Sequence, residues 1–141
     1  MLIKQLSVFL ENKSGRLNEV SNILGKAGIN MSAFTVADTS EFGILRLIVS
    51  DHEKAFKVLR ENSFSVSLTD VVCLNCPNKP GALGKALQIL SDNEVSIEYL
   101  YAYSVGESAN VVLKPDNIDK CIKVLQEHQL ELVKSSDLYK I

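Results

Sequence analysis

Glu11-Asn12-Lys13-Ser14-Gly15-Arg16-Leu17 and Pro77-Asn78-Lys79-Pro80-Gly81-Ala82-Leu83 are two versions of one phrase, 66 positions apart. The same offset, without a gap, lays Ile23-Leu24 over Ile89-Leu90, Leu47 over Leu113, and Lys57-Val58-Leu59 over Lys123-Val124-Leu125. A period of that length is a tandem duplication of a small domain, because solenoid repeats are shorter and more numerous. The expected units are residues 1–69 and 70–141. A domain of that size buries only about 60% of its unfolded surface. Pairing is therefore expected, within the chain, between chains, or both.

The residues flanking the phrase repeat in kind. Leu2, Leu6, Val8 and Leu10 alternate with Gln5, Ser7 and Phe9, the period of a strand. Behind Gly15, the residues Leu17, Val20, Ile23, Leu24 and Ala27 recur at helical spacing, and Gly28 suits a left-handed helix end. Strands are expected over Ile29–Asp38 and Ile44–Val49, with Thr39–Gly43 as the turn between them. Ser50, three residues before Glu53, reads as a capping box for a second helix with Ala55, Val58 and Leu59 inward. Phe64–Leu68 alternates again as a fourth strand. The second unit follows the same order. Strand Val71–Cys76 precedes helix Gly81–Asn93, then strands Val95–Ser104 and Ala109–Leu113. A helix begins at Asp116 as N-cap, with Ile118, Ile122 and Leu125 inward, and strand Leu130–Lys134 closes the unit. The Asp70 region joins the two units without a Pro/Gly linker. The order βαββαβ, twice over, predicts an α+β, ferredoxin-like fold. Each unit has a four-stranded antiparallel sheet with both helices on one face. The other face needs a cover.

Composition removes several function classes. The 141 residues are 46% hydrophobic and 23% charged, with a net charge of −2. A nucleic-acid binder carries a basic footprint that this chain lacks, and there is no polybasic patch for a membrane. Lys4, Gln5 and Ser7 interrupt Met1–Leu10, so it does not read as a signal peptide, and no run approaches the ~18 apolar residues of a span. Three cysteines, an odd number, point to reduced thiols and a cytoplasmic location.

Two features carry alternative chemistries. Cys73-Leu74-Asn75-Cys76 has redox spacing, but such a pair gains thiolate stability by opening a helix. This one ends a strand, which places Cys73 and Cys76 on opposite faces. Zinc would need two further ligands, and Cys121, His52 and His128 are what remain. Tyr99, Tyr101 and Tyr103 share one face of a strand where the first unit has Ala33, Thr35 and Ala37. Packing or a subunit interface accounts for such a row, and a pocket for an aromatic or imidazole ligand is the sharper alternative. No catalytic triad, metal cluster or phosphate loop is legible. The expectation is a non-catalytic chain that needs no cofactor.

The element order, together with Asn-Lys-Ser/Pro-Gly-x-Leu in both copies, resembles the ACT domain family. Asn78-Lys79-Pro80-Gly81-Ala82-Leu83 matches that family's loop throughout, and Asn12-Lys13-Ser14-Gly15-Arg16-Leu17 departs at Ser14. The resemblance implies small regulatory modules that bind free amino acids and control amino-acid metabolism. A glycine opening a helix suits the approach of a carboxylate to backbone N–H groups, and an Asn amide both donates and accepts. In serine-binding members, an Asn of this loop and another at the start of the second strand hold the effector. Asn12 and Asn30 match those places in the first unit, Asn78 and Ser96 in the second. The sites are therefore expected to be unequal, the first being the better.

What the resemblance implies is a stand-alone regulator. A free amino acid binds at the two loops and biases the arrangement of domains or subunits in a homodimer. A partner enzyme or regulator then reads that arrangement. The alternative from another class is a protein-interaction module that binds no ligand.

Overall fold

The computed structural model describes residues 2–11, 14–38 and 42–139; of Asp38 and Phe42 only the backbone is described. Its elements are β1 (Ile3–Glu11), α1 (Arg16–Lys26), β2 (Met31–Asp38), β3 (Phe42–Val49), α2 (His52–Glu61) and β4 (Ser65–Pro77). There follow α3 (Ala82–Asp92), β5 (Ile97–Val105), β6 (Ser108–Pro115), α4 (Ile118–Glu127), a short β7 (Glu131–Leu132) and α5 (Ser135–Leu138). The chain divides into two compact units. One is Lys4–Thr69 with Leu138–Ile141, the other Met1–Ile3 with Asp70–Asp137. The α+β class and the repeated βαββαβ order are as the sequence predicts.

In the first unit β3 lies between β2 and β1, and β1 in turn neighbours β4, all antiparallel where the register is defined. Leu6 pairs with Leu47 and Glu11 with Phe42 across β1 and β3, while Met31 meets Val49 across β2 and β3. In the second unit β4 lies between β7 and β6, with β5 outside β6. Alternation assigns the faces: Leu6, Val8, Leu10, Leu45 and Leu47 join Val20, Leu24, Ala55 and Leu59 from α1 and α2 in one core. Val72, Leu74, Cys76, Val111 and Leu113 join Ala86, Leu90, Cys121 and Leu125 from α3 and α4 in the other. The helix-free faces are not bare. Ile3, Gln5, Ala33, Ile48, Cys73 and Val112 are all buried.

Four local expectations are corrected. The capping box at Ser50 does not form; Asp51 is the N-cap of α2, and its side chain accepts from the Lys54 N–H at 3.1 Å. Asp116 likewise yields the capping position of α4 to Asn117, which accepts from the Lys120 N–H. In both cases the earlier residue turns its oxygen to the start of a strand: Ser50 Oγ accepts from the Asn30 N–H and Asp116 Oδ1 from the Ser96 N–H. Phe64–Leu68 and Val71–Cys76 are not separate strands, since Ser65–Pro77 is continuous. The last strand is only Glu131–Leu132, after which Ser135–Leu138 turns helical. The expected Thr39–Gly43 turn falls largely outside the described residues.

The alternative chemistries can now be placed. Cys73 and Cys76 are both buried, Cys76 beneath the helices and Cys73 on the opposite face. Burial pushes the Cys73 thiol up to about 12, the reverse of the lowering that a redox pair requires. Tyr99, Tyr101 and Tyr103 are half-buried on the helix-free face. There the Asn75 amide donates to Asn110 Oδ1 at 2.8 Å, and the Asn110 amide donates to the Tyr103 hydroxyl at 3.1 Å. No helix among the described residues is long and apolar enough to cross a membrane.

Candidate ligand-binding site

The two quoted phrases become the β1–α1 loop and the β4–α3 loop. Gly15 (φ 87°) and Gly81 (φ 85°) occupy the N-cap positions of α1 and α3 in the left-handed region. A Cβ at either would meet nothing within 4 Å. The glycine requirement is therefore one of backbone conformation, and the space above both helix starts is open.

The four long helices fall into two kinds. Asp51 and Asn117 cap α2 and α4 through their side chains. The starts of α1 and α3 have no side-chain cap. Their first-turn N–H groups carry the positive end of the helix dipole, a place that favours an anion.

The other expected site residues can be located one by one. Asn12 and Lys13 lie outside the described residues. Ser14 and Pro80 are exposed in the turns, and Asn78 anchors its loop by donating its N–H to the Glu107 carbonyl at 3.0 Å. The Lys79 carbonyl accepts from the Ala82 N–H. Leu17 is 47% exposed, whereas its counterpart Leu83 packs against the second core. Arg16 ion-pairs with Glu11 at 3.4 Å and with Glu19 at 3.1 Å.

Asn30 and Ser96 do not join the loops of their own units. The first loop leaves β1 beside Glu11, which pairs with Phe42, whereas Asn30 precedes Met31, which pairs with Val49 at the far end of β3. The 11 residues of α1, about 16 Å of helix, separate the two places. Ser96 is displaced from Pro77 in the same way, since Pro77 pairs with Ser108 while Ile97 pairs with Pro115. Asn30 and Ser96 each lie at the end of the sheet opposite the strand end that leads into their own unit's loop.

What sequence reasoning missed is a cleft flanking each loop. In the first unit Leu10, Glu11, Arg16 and Phe64 border a cleft of about 160 Å³. In the second, Cys76, Pro77, Lys79, Ala82, Lys85 and Leu130 border one of about 300 Å³. Phe64 and Leu130 come from the far ends of their units, so no local motif contains them. The offset of 66 does pair them, and it also pairs Arg16 with Ala82.

A family model described as an ACT domain pair matches residues 1–141, the length over which this loop and fold recur. The chain belongs to the ACT domain pair family. A crystal structure of a protein from Bacteroides thetaiotaomicron is 55% identical to it, with a TM-score of 0.97 and coverage of 100% of this chain and 98% of that one. The regulatory subunit of aspartate kinase from Thermus thermophilus, in its ligand-free form, is 14% identical, with a TM-score of 0.67 over 89% of this ACT pair and 93% of that chain. The corresponding subunit from Thermus flavus is 13% identical, with a TM-score of 0.62 over 90% and 93%. At such identities the likeness is one of fold. No curated protein matches the chain.

Proposed function

We propose that this ACT pair is a non-catalytic regulatory protein that binds a free amino acid at the loops 11–17 and 77–83 and passes the bound state to a partner in amino-acid metabolism. The observation that carries this reading is the contrast in caps. Among the described residues, α1 and α3, which follow the repeated phrase, are the long helices that begin without a side-chain cap, on open, left-handed glycines. A carboxylate placed there completes the hydrogen bonding of the first turn.

The separation of Asn30 and Ser96 from the loops shapes the mechanism. If Asn30 is to touch the same effector as a loop of this kind, that loop must come from outside its own unit, either the other repeat or a second copy of the chain. Binding is then linked to the arrangement of units or copies, and the effector shifts the arrangement by its difference in affinity between the two states. Leu17, Phe34 and Val36 leave an exposed apolar edge on the first unit that a second copy would cover. The same edge favours the second reading, a protein-interaction module without a ligand. Buried thiols, Cys73 and Cys121 among them, suit a reducing, cytoplasmic setting.

Thermal unfolding against the twenty amino acids separates the readings. An effector at 100 times its Kd adds about 2.7 kcal/mol to stability, and its effect should weaken in Gly15→Ala or Gly81→Ala chains corrected for their own loss of stability. No shift with any amino acid leaves the interaction module standing.

A further inference from the structure

The two clefts beside the loops are the same place in the two repeats, built with opposite outcomes. The offset of 66 takes Leu10 to Cys76, Glu11 to Pro77, Arg16 to Ala82 and Phe64 to Leu130. In the first repeat the site contains its own cation. The Arg16 guanidinium lies 5.5 Å from the centroid of the Phe64 ring and is held by Glu11 and Glu19. What remains is about 160 Å³. In the second repeat Ala82 removes that side chain, Pro77 removes one carboxylate, and Lys85 replaces the other, Glu19, with a cation. Lys79, a lysine that both repeats have at this position, borders the cleft as a second cation. Neither lysine has an ion-pair partner among the described residues, and no carboxylate borders the cleft. Its volume of about 300 Å³ reaches the lower end of the range for ligand pockets, which the first cleft does not.

We infer that the cleft bounded by Cys76, Pro77, Ala82 and Leu130 is a binding pocket for a small carboxylate with a short aliphatic body, and that Arg16 blocks the corresponding pocket of the first repeat. The aliphatic body lies against Leu130, Ala86 and Cys76; Lys79 and Lys85 meet the carboxylate. This rests on the proposed function only in sharing the second loop. It reverses the expected order of the two sites. An aliphatic amino acid and its 2-oxo acid share this chemistry, and the absence of a bordering carboxylate gives an α-ammonium no charged partner.

Isothermal titration calorimetry with leucine and with 4-methyl-2-oxopentanoate tests the pocket. One or both should bind the wild-type chain once. Ala82→Arg/Lys85→Glu transplants the side chains that the first repeat already accommodates, and should weaken binding at least tenfold. Lys79→Gln, a change on an exposed side chain, should weaken it several-fold, and Arg16→Ala should leave this binding intact. Amide shifts on titration should centre on residues 79–86 and on Leu130. Leucine binding that survives both second-repeat variants overturns the pocket and leaves the proposed function standing. Binding of the oxo acid alone, lost in the variants, supports the pocket and counts against an amino-acid effector. No binding of either probe overturns the pocket, while the twenty-amino-acid screen still decides the function.

Discussion

The backbone N–H of Ser96 donates to Asp116 Oδ1 at 3.1 Å, and the Asp116 N–H returns a bond to the Ser96 carbonyl at 2.9 Å. Asn30 and Ser50 make the same reciprocal pair in the first unit, both bonds at 3.0 Å. This clasp ties the entry of one strand to the exit of its neighbour, and it explains why capping moves one residue on. Asp116 Oδ1 also accepts from the Asn117 N–H at 2.9 Å. Asp116→Ala should therefore cost about 1.5–3 kcal/mol, the scale of bonds to a charged group, and Ser50→Ala about 1 kcal/mol. Urea unfolding measures both; equal losses would contradict the double role of Asp116.

The conformational reading of the loop glycines gives a second expectation. Gly15→Ala and Gly81→Ala should each destabilise by roughly 1–2 kcal/mol, the cost of a left-handed backbone for a residue with a Cβ. Nothing stands within 4 Å of either Cβ position, so Asn, which tolerates this region, should recover part of the loss. Thermal melts of the Ala and Asn chains check it.

Glu94 has φ 59° where its counterpart Gly28 has φ 73°. Both follow the first helix of their unit, and the first unit uses the residue that pays no Cβ penalty there. Glu94→Gly should stabilise the chain by about 1 kcal/mol, a rise of a few degrees in Tm. Gly28→Glu should do the reverse.

The buried thiols make stability fall at high pH. Burial lifts Cys73 from its ordinary 9.0 to about 12 and Cys121 to about 11, the latter with a smaller contribution from Asp116. The unfolded thiols ionise above pH 9 while the folded ones stay protonated. Their contribution is thus whole below 9 and is lost as pH rises toward 11–12. Cys73→Ala should flatten the decline in denaturation midpoint above pH 9. Maleimide should label Cys73 only as fast as the chain opens.

Much of the fold was legible because a duplicated pattern is its own control. Gly15 and Gly81, Val20 and Ala86, Leu24 and Leu90 each name the same structural place twice, and hydrophobic period alone assigns the helix and strand faces. The failures are where one side chain has two possible uses. Ser50 has the right spacing to cap α2, but spacing cannot reveal that the Asn30 N–H needs its oxygen more. Residues 64–77 contain two strand signals, and local pattern cannot tell a turn from continuous backbone at Asp70.

The candidate site divides along the same line. Hydrophobic period and the placing of glycine are local properties, so the chain's residues already specify the repeat, its element order and the two loops. Which groups meet beside those loops is not local. Arg16 reaches Phe64, and Ala82 leaves space before Leu130, only because each unit brings the residue after its second helix back to the end of its first strand. The separation of Asn30 from the loop beside Glu11 is of the same origin: 11 residues of helix carry them to opposite ends of one sheet. Volume, distance and the occupation of a cleft by a neighbouring side chain arise from packing between residues far apart in the chain. The difference between about 160 Å³ beside the first loop and about 300 Å³ beside the second is therefore decided by the tertiary structure.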